Sequence, residues 1–143
     1  MTTQLSERIT YKGEEYGVSS TPLEPYFESS NDRPDFATKP TYLRRRYVGS
    51  WEIVEHRLYL VGIDASLRDG SEVSLETIFP GFPDRVFAHW FTGTLEIHDG
   101  NALRRDGFVT IFERDLLVTF DRGVLVHEEV RDNRDEAFQE DEE

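Results

Sequence analysis

The chain is predicted to be mainly β, an antiparallel sandwich or partly closed barrel of about eight or nine strands with one or two short helices. Three observations predict this. Aromatic residues make up 13% of the 143 residues, with 10 Phe, 6 Tyr and 2 Trp, and such side chains fit a pleated, half-buried surface. Apolar residues recur at period two through the middle and end of the chain. The turn signals between these runs stand too close together for crossover helices, which favours antiparallel neighbours.

The elements follow in order. Ile9–Lys12 and Glu15–Val18 flank Gly13–Glu14 and read as an opening hairpin. Thr21–Phe27 reads as a short helical turn, with Thr21 as its cap and Pro22 at its first position. Ser29–Pro40 is polar and interrupted by Pro34 and Pro40, so it reads as a loop. Thr41–Val48 is one predicted strand, and Gly49–Glu55 and Arg57–Ile63 are two more meeting at His56. Leu75, Ile78 and Phe79 share helical spacing within Glu72–Phe79, a segment opened by Asp69–Gly70–Ser71 and closed by Pro80–Gly81–Phe82–Pro83. Arg85–His98 reads as one long strand, apolar on both faces at its start, with Asp99–Gly100–Asn101 as the turn after it. Phe108–Phe112, Leu116–Phe120 and Val124–Val130 complete a meander whose last turn is Asp121–Arg122–Gly123. Residues 1–131 are thus expected to form one domain, and 132–143 a disordered acidic tail.

Charge and composition narrow the function classes. The net charge is −13, from 16 basic and 29 acidic residues. Without the tail the balance is still −7, from 15 basic and 22 acidic residues. Such a field repels phosphate backbones and anionic membranes, and it attracts a basic protein. Nucleic acid and membrane are therefore not expected partners, and a basic protein is. There is no cysteine, which excludes disulfides, thiolate zinc sites and a cysteine nucleophile. Met1–Arg8 has no basic or apolar leader pattern, so a cytoplasmic location is expected.

Two motifs carry a resemblance. Arg46-Tyr47-Val48-Gly49-Ser50-Trp51-Glu52-Ile53, then Leu58-Tyr59-Leu60-Val61-Gly62-Ile63, and later Ala88-His89-Trp90-Phe91-Thr92-Gly93-Thr94-Leu95-Glu96-Ile97 resemble a family of small bacterial domains of unassigned function. The likeness spans about residues 9–126 and departs at Arg45, near which the family pattern has Gly. It implies a bacterial origin and a shared fold, and no activity. Gly49-Ser50-Trp51 is also similar to the G-x-W opening of lipocalin and fatty-acid-binding barrels. There the motif stands near the N-terminus, whereas here few residues follow it for a barrel of that size.

No catalytic, cofactor-binding or metal-binding set is read from the residues. His56, His89, His98 and His127 lack metal-ligand spacing, since positions nine apart on one strand face opposite ways. The serines lack a nucleophile elbow, and the glycines form no phosphate loop. The candidate ligand or partner contacts are the basic run Arg44, Arg45 and Arg46, together with Trp51, His89 and Trp90. His89 is expected between Phe87 and Phe91 on an apolar face, either as a core histidine or as the polar floor of a pocket. The preferred expectation is a non-catalytic protein-binding module, of the immunity or inhibitor type, for a basic partner. The alternative is a small-molecule-binding domain or enzyme with an aromatic pocket.

Overall fold

A computed structural model describes residues 7–30, 33–37, 47–106 and 109–134. Strand β1 (Glu7–Tyr11) pairs antiparallel with β2 (Glu14–Val18). Lys12 and Gly13 between them have φ of 52° and 82°, the two left-handed residues of a turn whose twist matches that of a hairpin. Helix α1 (Glu24–Ser30) follows, entered two residues later than predicted and continued through Ser29 and Ser30 of the predicted loop. Strands β3 (Val48–Val54) and β4 (Arg57–Asp64) form a second hairpin. It turns at Glu55 and His56, again both at positive φ. Helix α2 is confined to Leu75–Ile78, where the Ser74 amide donates to the Thr77 hydroxyl at 3.0 Å.

After α2 the chain departs from its prediction. The stretch Arg85–His98 is not one strand. β5 covers only Val86–Phe87, the backbone turns at His89 and Trp90, and β6 (Gly93–Asp106) begins anew. Asp99–Gly100–Asn101 is not a turn either. It lies inside β6, where the pairing register shifts twice between Asp99 and Arg104. These bulges absorb the glycine, and the Glu113 carboxylate accepts from the Asn101 amide at 2.7 Å. The two strands predicted over Phe108–Phe112 and Leu116–Phe120 are one, β7 (Val109–Asp121), and β8 (Val124–Asp132) follows the turn at Arg122–Gly123. β8 runs to the end of its range at Asp132, and Asn133 beyond it is 4% exposed. Residues 41–46 of the predicted Thr41–Val48 strand, and 135–143 of the predicted tail, lie outside the described residues.

The strand order is β3-β1-β2-β6-β7-β8-β4-β5, and an additional β3–β4 pairing returns the sheet on itself. Seven strands therefore close a barrel, and β5 is an extra strand on β4. All neighbours are antiparallel except β1 and β3, which run parallel. The reason is topological. β2 ends where β1 began, at Val18 opposite Glu7, and β3 starts at that same end, beside Arg8. Leu23, Phe27, Phe36 and Tyr47, which lie between β2 and β3, are all buried and join the core.

Period-two alternation fills the interior. Leu58 and Leu60, Leu95 and Ile97, and Val118 and Phe120 face inward from β4, β6 and β7 with at most 1% exposure. Ile9, Val18 and Trp51 join them from the remaining strands. Each such side chain contributes about 1.5–3 kcal/mol by leaving water. The barrel is filled by its own side chains.

The closing seam is narrow. β8 meets β4 at one residue pair, Arg57 with Val124, supported by Leu58 N–H to Gly123 O at 2.9 Å and Leu125 N–H to His56 O at 2.7 Å. β4 begins at Arg57, so nothing of it remains to pair with the rest of β8. Further along β4 the neighbouring place is taken by β5, through Tyr59 with Phe87 and Leu60 with Val86.

Candidate functional site

The residues singled out in the sequence do not gather into one site. Arg44, Arg45 and Arg46 lie outside the described residues. Trp51 is 1% exposed inside the barrel, and its indole N–H donates to Glu7 Oε1 at 3.2 Å. It is a core residue and offers no surface to a ligand or partner. The Gly49 amide donates to Glu7 Oε2 at 2.6 Å, and a Cβ on Gly49 would lie 2.6 Å from Glu7 Oε1. Glycine is needed there because a buried carboxylate presses against the backbone.

His89, predicted on an apolar face between Phe87 and Phe91, is instead exposed. The turn after β5 causes this: His89 N–H donates to Phe87 O at 2.9 Å and Phe91 N–H donates to Ala88 O at 3.1 Å. Ala88 takes the inward position at 0% exposure, and the imidazole swings to solvent beside the Trp90 edge. Trp90 is half-buried, donates to Pro22 O at 2.8 Å, and stacks on Phe79 with centroids 5.5 Å apart. It fastens α1 and α2 to the barrel. The expected pocket of Trp51, His89, Trp90 and Phe91 is therefore divided between core, surface and helix packing.

A polar row that the sequence did not reveal crosses the outer face of three strands and ends at Ser19, just past a fourth. Pairing sets His98 of β6 opposite Asp115 of β7, and Asp115 opposite Arg131 of β8. Ser19, just past β2, donates its amide to Glu96 O at 3.3 Å, which places its hydroxyl beside His98. Ser19 Oγ and His98 Nε2 are hydrogen-bonded. On the other side of the ring, His98 Nδ1 lies 3.4 Å from Asp115 Oδ1. Asp115 Oδ2 accepts from Arg131 at 2.6 and 3.2 Å and from Asn133 Nδ2 at 2.9 Å. The ring of Phe112 stacks on the imidazole with centroids 4.6 Å apart.

Burial makes this row more than surface decoration. The side chains of His98 and Asp115 are 12% and 7% exposed, whereas Ser19 is open to solvent. Burial alone would raise the Asp115 carboxyl. The bonds from Asn133, Arg131 and His98 outweigh it and hold the group below the ordinary carboxylate value. Asp115 is thus an anion with one oxygen turned to the imidazole. Glu96, His98 and Asp115 also bring ligand atoms within 4.8 Å of one another, a spacing that suits a cation. Arg131 already donates to both carboxylates, at 3.4 Å to Glu96 and 2.6 Å to Asp115, and its guanidinium supplies that positive charge.

The second feature is the edge of β8. Beyond Val124, no strand among the described residues pairs with its outer side. Val126 and Val130 there are 59% and 56% exposed, and Glu128, Glu129 and Asp132 are exposed between and beyond them. Val130 stands opposite Leu116, which packs against the core, so an apolar stripe runs from the interior out to the open edge. Val126 is the extra residue of a bulge between Thr119 and Phe120.

Together these define a seven-stranded closed barrel with one open, acidic strand edge and one half-buried polar row. No family model, no curated protein and no solved structure matches the chain. Among the described residues no helix is long and apolar enough to cross a membrane.

Proposed function

We propose that the protein is a binding module of the inhibitor or immunity kind, which takes an extended basic segment of another protein along the open edge of β8. One observation carries this reading: from Val126 to Asp132 the strand has apolar and acidic side chains on display and an unpaired outer side among the described residues. An added strand satisfies the outward backbone groups and covers Val126 and Val130. Its apolar positions cover Val130 on the face that also carries Glu128, which Lys12 already pairs at 3.3 Å. Its alternate positions meet Glu129 on the opposite face, which selects lysine or arginine there.

A second copy of this chain is a poor occupant of the same edge. Two β8 strands set antiparallel bring the acidic positions of one against those of the other, at a cost of about 0.2–1 kcal/mol for each opposed pair. The net charge of −13 adds long-range repulsion between copies. A basic partner turns both terms to advantage and makes the association salt-sensitive.

The test uses a blocked synthetic peptide alternating Val and Lys, with an alternating Val and Glu peptide as control, followed by fluorescence anisotropy at low and high ionic strength. The expected result is binding of the Lys peptide alone, weakened by salt and lost in the Val126→Lys/Val130→Lys variant. Amide chemical-shift changes are expected to centre on residues 126–132. Equal binding by wild type and variant, shifts centred elsewhere, or no binding of the Lys peptide would overturn the reading.

A further inference from the structure

We propose that Ser19, His98 and Asp115 form a nucleophile, base and orienting group, and that Ser19 is an acylable serine of the ester-hydrolase class. This goes beyond the binding reading and does not rest on it, because the β8 edge at Val126–Val130 contributes no member of the relay. His98 and Asp115 come from β6 and β7 and Ser19 from the residue after β2, and pairing register brings the three together. What each contributes follows from its contacts.

The hydrogen bonds fix the imidazole tautomer. Asp115 faces Nδ1 at 3.4 Å, and an ionised carboxylate accepts but cannot donate, so Nδ1 carries the proton. Nε2 is then the free base, and it faces the Ser19 hydroxyl. Asp115 cannot swing away, because its other oxygen is held by Arg131 and Asn133. The ring cannot tilt freely, because Phe112 lies flat on it at an interplanar angle of 24°. A base held by a third group and bonded to an exposed nucleophile is the arrangement that activates a hydroxyl.

The step balances with an ester and water as the only reactants. Ser19 Oγ attacks the carbonyl carbon and its proton passes to His98 Nε2. The carbonyl–alkoxy bond breaks, and the leaving alkoxide takes that proton. Water then attacks the acyl carbon while giving a proton to Nε2. The Ser19 ester bond breaks, Oγ regains the proton, and the acid departs. Asp115 is a positioning residue throughout. The Ser19 amide is already committed to Glu96 O, so it does not receive the developing oxyanion, and turnover is expected to be slow. Reactivity of the serine is therefore a better readout than turnover.

The test is labelling of the full chain with a fluorophosphonate, read by intact mass and peptide mapping. The expected result is one adduct, on Ser19, forming at least about a hundredfold faster than on exposed Ser29 or Ser74, the low end of what a positioned base contributes. The adduct is lost in Ser19→Ala and slowed by a similar factor in His98→Gln, with circular dichroism confirming that both variants fold. The charged groups facing the imidazole are Asp115 from β7, Arg131 from β8 and Glu96 from its own strand. Labelling of the wild type is expected to depend on pH, and Asp115→Asn to flatten that profile. No adduct, an adduct on other serines at equal rate, or labelling of Ser19 indifferent to pH and to His98→Gln would overturn the proposal. Failure here leaves the β8 edge untouched, and loss of the edge leaves Ser19 reactive.

Discussion

Replacing Glu7 with glutamine tests the architecture of the barrel interior more sharply than any truncation. The carboxylate is 1% exposed and accepts from two fixed donors, the Gly49 amide at 2.6 Å and the Trp51 indole at 3.2 Å. Both donors are buried, and neither can move without shifting β3. A glutamine of the same shape offers one oxygen and one NH2 group, so one donor must meet another donor. Two effects oppose each other. Burying a charge costs several kcal/mol, and glutamine avoids that. Orphaning a buried donor and losing a charge-assisted bond each cost about 1–3 kcal/mol. The second pair wins because the donors stay where the strand holds them. A net loss of about 1–3 kcal/mol is expected, a sizeable part of the stability of a small domain.

The assay is urea unfolding followed by far-UV circular dichroism in a double-mutant cycle with Trp51→Phe. Phenylalanine removes the indole donor, so glutamine can then turn its oxygen to Gly49. Glu7→Gln is therefore expected to cost about 1 kcal/mol less in the Trp51→Phe background than in the wild type. An equal cost in both backgrounds, or a Glu7→Gln variant as stable as the parent, would refute the argument that two donors share this carboxylate.

Three further outcomes follow from the same geometry. Gly123→Ala is expected to cost about 2 kcal/mol or more in thermal or urea unfolding, because the site has φ of 85° and a Cβ would lie 2.6 Å from Ala88 O. The Asp115 carboxyl has a folded pKa below its ordinary value, so its stabilising contribution is present above about pH 4 and is lost as pH falls through the depressed value. The stability gap between wild type and Asp115→Asn is accordingly expected to narrow on acidification, measured as urea midpoints across the acid range. Val126→Lys and Val130→Lys are expected to leave unfolding free energy within about 0.5 kcal/mol of wild type, since both side chains already face water.

Local signals carried the fold class. The hairpins at Glu55–His56 and Arg122–Gly123, and the alternation of Leu58 with Leu60, Leu95 with Ile97 and Val118 with Phe120, are properties of a few consecutive residues. A reader of sequence can see them. The failures share one cause, which is that pairing register is a property of two distant segments. Gly100 looks like a turn because the Glu113 side chain that accommodates its bulge belongs to another strand. His89 looks like a core residue because the backbone turn that expels it is marked by no glycine or proline of its own. Glu7 gave no sign of burial, since its two donors follow more than forty positions later. Ser19, His98 and Asp115 are far apart in sequence and become neighbours only once β2, β6 and β7 are aligned. Asp115 gives little hint of its burial either, because it closes the charged run Glu113-Arg114-Asp115, which reads as a solvated break between two apolar stretches.

The single-pair seam between β8 and β4 has a consequence for how the molecule breathes. Seven staves are hooped here by the backbone of Gly123, whose N–H reaches Phe91 O at 2.8 Å while its carbonyl holds Leu58. Opening that clasp frees the last hairpin from Leu58 and from the Phe91 segment, while β5 stays paired with β4 and the β6–β7 ribbon stays zipped along its length. The amides of Leu58, Gly123 and Leu125 are expected to exchange with solvent together and ahead of Leu95, Ile97 and Val118. A barrel of this build wears first at its clasp.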